Sequence, residues 1–226
     1  MKYIEQELIK ALEASFRAYK EHGARSTAKL KPIHKYFVDT LASIWGNAYS
    51  VHFLGDENKE MNVEGKYYPK DIDITVAKDG QPVFCLGIKF VTSNYKQNAN
   101  NYFENMMGET ANIQAIGNLS YAQLLILRLE TPYYPKNETE TPSKIEKIND
   151  KDISKYLKLI FDNPQAHRPD YLGIQLIDVD EKTGKVSLSD IDKSFSKDTV
   201  RFLKKKLSLK NFFNEIETYK NYKKIM

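Results

Sequence analysis

The sequence contains a single cysteine, Cys85, which excludes a disulfide framework or a cysteine-based zinc site within one chain. No apolar run approaches the roughly 20 residues of a membrane-spanning helix, and the first residues lack the apolar segment of a signal peptide. Neither HExxH nor GxSxG occurs, so a metalloprotease or a serine hydrolase is disfavoured. We therefore expect a cytoplasmic protein that has no membrane partner.

The charge of the chain is nearly balanced. Its 226 residues include 34 Lys and Arg against 30 Asp and Glu, which gives a net charge of +4. This mildly basic composition permits a nucleic-acid partner but lacks the large excess of a histone-like protein. Hydrophobic residues make up 41% of the chain and charged residues 28%, which is enough to bury a core and argues against disorder.

Hydrophobic periodicity predicts helices and strands that follow one another along the chain. The predicted helices are 3–21, 32–45, 98–116, 151–161, 197–206 and 209–222. The predicted strands are 49–54, 71–76, 83–91, 121–129 and 171–179, and 130–149 is expected to be a long exposed loop. The strand at 121–129 is almost continuously apolar, which indicates a central strand covered on both faces. This order predicts an α/β fold with a mixed sheet flanked by helices.

The segments 71–76 and 83–91 alternate polar and apolar residues around Asp79-Gly80, one of the strongest hairpin signals. A hairpin centred on this turn places two aspartates roughly opposite 87–89, where cross-strand neighbours on one face lie about 5 Å apart. A carboxylate and an ammonium that share a face can hold a divalent cation and orient a water, as phosphodiester hydrolysis requires. The alternative interpretation is an ordinary surface ion pair, which is common and contributes little.

Residues 69–73, Pro-Lys-Asp-Ile-Asp, followed by Gly-Ile-Lys at 87–89, resemble the active-site motif of the PD-(D/E)xK nuclease superfamily. The run 89–104 resembles the end of that motif in type II restriction endonucleases, so the resemblance extends over 67–116. It implies a restriction-endonuclease-like fold and hydrolysis of double-stranded DNA at a specific site, with Mg²⁺, or alternatively Mn²⁺, as the cofactor.

The resemblance also implies roles for individual residues. Asp73 is the preferred metal ligand and catalytic carboxylate, because it lies deeper in its strand and more nearly opposite Lys89. Asp71 is the alternative ligand. The carbonyl oxygen of Ile88 is a further candidate ligand, and Lys89 would position the attacking water.

One position departs from the motif, because Gly87 stands where an acidic residue is expected. Some restriction enzymes of the superfamily take the missing carboxylate from the following helix. Glu104 is the first candidate and Glu109 the second on the predicted helix 98–116, and both lie on the flanks of its apolar stripe. Either one could instead be a solvated surface residue.

Two polar segments are candidates for DNA contact. The first is rich in amides, which suit adenine edges, and its lysine suits a phosphate; its residues are Ser93, Asn94, Lys96, Gln97 and Asn98. The second is a basic connector, with Arg25, Lys29 and Lys31. A helix-capping loop and a solvated loop are the respective alternatives. Tyr67 and Tyr68 either line a groove or pack against the protein.

These features predict a single nuclease domain, 1–226, with a catalytic core at about 1–130 and a C-terminal elaboration at about 150–226. Cutting of both strands would favour a homodimer, because a two-fold protein suits a palindromic site. The alternatives are a repair or junction-resolving nuclease on the same core, and a DNA-binding protein whose catalytic site has decayed at Gly87.

Overall fold

The structure is a computed structural model that describes residues 4–23, 26–55, 59–117, 119–135 and 141–225. Its helices are α1 (Glu5–His22), α2 (Lys31–Trp45), α3 (Tyr95–Gln114), α4 (Asp150–Phe161), α5 (Lys197–Phe202) and α6 (Leu209–Ile225). Its strands are β1 (Ser50–Phe53), β2 (Met61–Val63), β3 (Lys70–Ile72), β4 (Ile74–Lys78), β5 (Gln81–Val91), β6 (Ser120–Arg128), β7 (Glu130–Tyr133), β8 (Lys144–Lys147), β9 (Tyr171–Val179) and β10 (Val186–Leu188). The sequence predicted most of these elements to within three residues.

A six-stranded mixed sheet forms the centre, in the order β1-β4-β5-β6-β9-β10. The neighbours β5, β6 and β9 run parallel, and the outer pairings are antiparallel. All nine residues of β6 are buried, as its continuous apolar sequence predicted. Helix α3 connects β5 to the parallel strand β6 and so forms a β-α-β crossover.

Helices cover both faces of this sheet. One core contains side chains of α1, α2 and α6, and it includes the even-numbered residues Phe84, Leu86, Ile88 and Phe90 of β5. The other core contains side chains of α3, α4 and α5. Because the apolar stripes of helices face both sides, the predicted mixed sheet flanked by helices is confirmed.

The predicted strand 71–76 is interrupted at Asp73. Strand β3 pairs with β2 in a separate two-stranded sheet, whereas β4 joins the central sheet between β1 and β5. The turn at Asp79-Gly80 is present as predicted, with both residues at positive φ. Asp73 therefore lies at the junction of two sheets rather than in the middle of one strand.

The expectation of a long loop at 130–149 is wrong for part of that segment, because β7 and β8 form a two-stranded antiparallel sheet. Both strands are short and contain charged residues, and β7 also contains Pro132. These features conceal a strand pattern in the sequence. Residues 136–140 lie outside the described ranges. Strand β9 lies beside β6 in the central sheet, so the C-terminal third shares the main sheet with the first half. Within the described ranges, no helix combines the length and apolar character needed to cross a membrane.

Candidate active site

The carboxylate of Asp73 is held in place by the strand across the hairpin. Its Oδ2 accepts a hydrogen bond of 2.6 Å from the backbone N–H of Ile88. The register between β4 and β5 pairs Ile74 with Leu86, which brings the residue before β4 alongside Gly87 and Ile88. Asp73 thus lies beside this part of β5, whereas Asp71, which the hairpin geometry also placed opposite 87–89, pairs with Asn62 of β2.

A cavity of about 330 Å³ collects the central residues of the sequence motif. Asp73, Ile88 and Lys89 line it together with Asp71, whose Oδ1 accepts a 2.8 Å hydrogen bond from Asn62. Lys89 is exposed, and its ammonium lies 5.7 Å from the centre of the Tyr102 ring. The carboxylate of Asp73 and the ammonium of Lys89 therefore border the same solvent-accessible cavity.

Helix α3 closes one side of the cavity and separates the two candidate glutamates. Tyr102, Asn105, Met106 and Glu109 line the cavity, since residues three and four apart share a helical face. Glu104 is exposed outside it, because five residues of helix place it about 140° around the axis from Glu109. The structure therefore brings Glu109, the second candidate, to the cavity and leaves Glu104, the first candidate, outside it.

Glu109 is not isolated in the cavity. Its carboxylate lies 3.1 Å from the ammonium of Lys70, the residue before Asp71. Burial acts to lower the pKa of Lys70, but the charge and hydrogen bond of Glu109 outweigh it and raise the pKa overall. Lys70 therefore remains protonated and neutralises Glu109 in the free protein.

The place of the missing acidic side chain is already filled. Gly87 pairs with Gln123 of β6, and a Cβ at Gly87 would lie 2.7 Å from the Tyr121 hydroxyl and 2.8 Å from Gln123 Oε1. Both distances are too short for a real side chain, and both neighbours are buried. An acidic residue at 87 is thus excluded unless Tyr121 and Gln123 move, which explains the departure from the motif in physical terms.

Glu60 is a carboxylate near the site that the sequence analysis did not identify. Met61 pairs with Ile72 at the end of the β2–β3 sheet, and Glu60 and Asp73 are the residues next to this pair in the sequence. Burial raises the pKa of Glu60, and the charges of Asp73 and Asp71 raise it further, as expected for carboxylates at close range. The alternation of polar and apolar residues at 60–63 was the signal that could have indicated a strand here.

The charged form of the Asp73 carboxyl is less favourable in the folded protein than in water. Burial raises the pKa of its carboxyl above the ordinary value of 3.8, and the charge of Glu109 acts in the same direction. His34 of α2 lies near it, fully buried, and neither ring nitrogen has a hydrogen-bond partner among the described residues. Burial lowers the pKa of His34, so the ring is neutral at neutral pH. A cation bound in the cavity would offset the unfavourable charge of Asp73.

No family model, curated protein or solved structure matches the chain. Among the described side chains, no three His, Cys, Asp or Glu residues are already arranged to hold a metal ion. Function must therefore be inferred from the residues of the cavity and their chemistry.

The amide-rich segment is bound to the protein itself. The side chain of Asn94 donates to the carbonyl of Tyr134 at 3.0 Å and accepts from its N–H at 2.8 Å, which fixes strand β7 against the start of α3. Gln97 donates to Glu146, and Asn98 donates to the carbonyl of Asn94. Three of the predicted DNA-contacting amides thus stabilise the β7–β8 sheet and the first turn of α3.

The other candidate DNA contacts differ in position. Lys96 lies 3.3 Å from Asp152 in an ion pair, and Ser93 is partly buried just before α3. Lys29 lines the cavity, where burial and the nearby charge of Lys89 lower its pKa. Lys31 begins α2, and Arg25 lies outside the described residues. Lys29 is the candidate that the structure brings into the same cavity as Asp73 and Lys89.

Proposed function

We propose that the chain is a Mg²⁺-dependent nuclease of the PD-(D/E)xK superfamily that cuts double-stranded DNA at a specific site, as type II restriction endonucleases do. The observation that carries this proposal is that Asp73, Lys89 and Glu109 line one and the same cavity. These side chains correspond to the first acid of the motif, the lysine that positions the attacking water, and the second acid. In this proposal the second acid comes from α3 rather than from position 87.

The donors in the cavity suit Mg²⁺. This ion binds oxygen ligands and is commonly held by one or two carboxylates together with waters and substrate phosphates. Asp73 and Glu109 would supply those carboxylates, with Asp71 as the nearby alternative and the Ile88 carbonyl as a further oxygen. When bound, Mg²⁺ offsets charge on the phosphate and makes a water easier to deprotonate.

The lysines perform the remaining steps. Lys89 orients the attacking water and stabilises the charge that develops on the phosphate as the new P–O bond forms and the ester P–O bond breaks. Lys29, which also lines the cavity, binds a neighbouring phosphate of the DNA backbone. Two copies of the chain, related by a two-fold axis, would each cut one strand of a palindromic site.

The test is digestion of unmethylated phage DNA with Mg²⁺, followed by electrophoresis. The wild type gives fragments of fixed lengths, and Asp73→Asn and Lys89→Ala each lower the rate by at least about 100-fold. The circular dichroism spectrum and the affinity for DNA at low salt remain close to wild type. Lys78→Ala is the matched control, because Lys78 is an exposed lysine of the same hairpin that lies outside the cavity and contacts Tyr49.

The possible results separate the alternatives. Cutting at the wild-type rate by either variant would show that the assignment of these residues is wrong. Fragments of random length would favour a repair or junction-resolving nuclease. No cutting, together with no binding of Mg²⁺ or Mn²⁺ by calorimetry, would favour a DNA-binding protein with a decayed site.

A further inference from the structure

The segment from Gly65 to Lys70, which leads into the cavity, is fixed in one conformation by a buried asparagine. Asn112 of α3 accepts from the N–H groups of Tyr67 and Tyr68 at 2.9 and 3.4 Å, and donates to the carbonyl of Tyr68 at 2.9 Å. Its own carbonyl accepts from the N–H of Lys66 at 2.7 Å. Four hydrogen bonds from one residue thus hold three consecutive residues of this segment.

Close approach of the two backbones requires glycine at position 65. A Cβ there would lie 2.2 Å from Asn112 Nδ2 and 2.4 Å from the carbonyl oxygen of Tyr68. The backbone at Gly65 is therefore packed as closely as a protein interior. The side chains of Tyr67 and Tyr68, which follow it, are nevertheless exposed. A preformed segment loses little conformational entropy when it binds a ligand.

The side chains that this segment presents are aromatic and cationic. Tyr67 and Tyr68 are 74% and 52% exposed, the first being the most exposed large hydrophobic side chain among the described residues. The ammonium of Lys66 lies 5.6 Å from the centre of the Tyr67 ring. Tyr68 lies close enough to Lys70 to raise the pKa of that lysine, and Lys70 lines the cavity and pairs with Glu109. The segment thus carries one tyrosine beside Lys66 and the other near Lys70, at the edge of the cavity lining.

We propose that Tyr67 and Tyr68 form a stacking platform that binds one nucleotide base unpaired from the DNA duplex, beside the phosphate to be cut. Exposed aromatic rings accept any base by stacking, and neighbouring lysines bind the phosphates on either side. This inference rests on the proposed function, because the cavity identifies the partner as DNA. It adds that the bound DNA is locally unstacked.

Binding a base in this way costs the energy of removing it from the duplex, and the cost is smallest where the base is already unpaired. A duplex with one unpaired adenine should therefore bind more tightly than the same duplex fully paired. The increase in affinity should be about tenfold, within the range of a single base–aromatic stack. The preference does not depend on the recognition sequence, because every base has a face that stacks.

The experiment measures the affinity of the whole protein for two short fluorescein-labelled duplexes, one fully paired and one with a single unpaired adenine at its centre. Fluorescence anisotropy is recorded in EDTA, so no cutting takes place. The wild type prefers the bulged duplex about tenfold. The double variant Tyr67→Ala with Tyr68→Ala binds both duplexes equally, and the double variant to Phe keeps the preference because it keeps the rings.

Tyr222→Ala is the matched control, since Tyr222 is an exposed tyrosine of α6 outside the cavity, and it keeps the preference. The inference is overturned if the wild type shows no preference for the bulge, or if the Ala variant retains it. The nuclease proposal fails separately, through absence of Mg²⁺-dependent cutting. A protein that cuts DNA but does not prefer the bulge would overturn only the platform, and one with the reverse behaviour would overturn only the nuclease.

Discussion

Asp73 shows how a single residue is held in an unfavourable state by its surroundings. The backbone N–H of Ile88 fixes its orientation, but burial and Glu109 make its charged form less favourable than in water. A carboxylate of this kind costs folding stability in the absence of a cation. Active sites commonly contain such groups, because the same feature favours binding of a positive ligand.

We expect Asp73→Asn to raise the melting temperature at neutral pH in EDTA. The folded pKa of Asp73 lies above its ordinary value of 3.8, so between these two values the folded state binds more protons than the unfolded state. The unfolding free energy of the wild type therefore falls as pH rises through this window and stays lower at neutral pH. Asn keeps the shape and the acceptor for Ile88 but cannot ionise, so its advantage disappears below pH 3.8.

Thermal unfolding by circular dichroism, in EDTA and then in excess Mg²⁺, measures this difference. Mg²⁺ should stabilise the wild type and not the variant, because a ligand that binds only the folded state raises its stability. Lower stability of Asp73→Asn at neutral pH in EDTA would show that the charged form of Asp73 is not disfavoured by folding.

At the scale of the elements, the position of helix α3 determines that Glu109 lines the cavity and Glu104 does not. Its cavity face carries Tyr102, Met106 and Glu109 at intervals of three and four residues, while Glu104 lies on another face and acts electrostatically on Lys155. The same helix also holds the tyrosine segment through Asn112. One helix thus supplies a carboxylate and a wall of the cavity and holds the tyrosine segment in place.

The pair Glu109→Gln and Glu104→Gln tests this assignment on one helix. Glu109→Gln should lower the Mg²⁺-dependent cutting rate by at least about 100-fold, because it removes a charged oxygen ligand. Glu104→Gln should cut at the wild-type rate. Cutting rates at several Mg²⁺ concentrations measure both effects, and equal losses in the two variants would contradict the helical phase as the deciding factor.

Regular elements were predictable from the sequence, and their junctions were not. The alternation in β5, the apolar run of β6 and the Asp-Gly turn are local signals, so the strand that carries Lys89 and the approach of that strand to Asp73 follow from them. The preference for Glu104 over Glu109 does not match the structure, because both flank the apolar stripe and only the position of the sheet shows which flank borders the cavity. Glu60 and the support from Asn112 depend on pairings between distant segments, which periodicity does not encode.

At the scale of the whole molecule, the two ends of the chain meet on one face of the sheet. Trp45 of α2 lies 5.8 Å from Phe84 of β5 and 6.2 Å from Tyr219 of α6, measured between ring centres. Phe212 of α6 is fully buried and lies 3.2 Å from the Cβ position of Gly173, so the absence of a side chain in β9 admits its ring. Residues from the N-terminal, central and C-terminal parts therefore share one core.

Because of this shared core, Phe212→Ala should destabilise the whole molecule and not just its C-terminal helix. Loss of a buried phenylalanine costs about 3–5 kcal/mol of unfolding free energy, through lost burial and the cavity that remains. Urea unfolding, followed by the fluorescence of Trp45, the only tryptophan, and by circular dichroism, should give one coincident transition that shifts to lower urea. Tyr222→Ala, on the exposed face of α6, should leave it within about 0.5 kcal/mol. Two separate transitions, or an unchanged Trp45 signal in Phe212→Ala, would show that the C-terminal part folds independently of the face that carries α1 and α2.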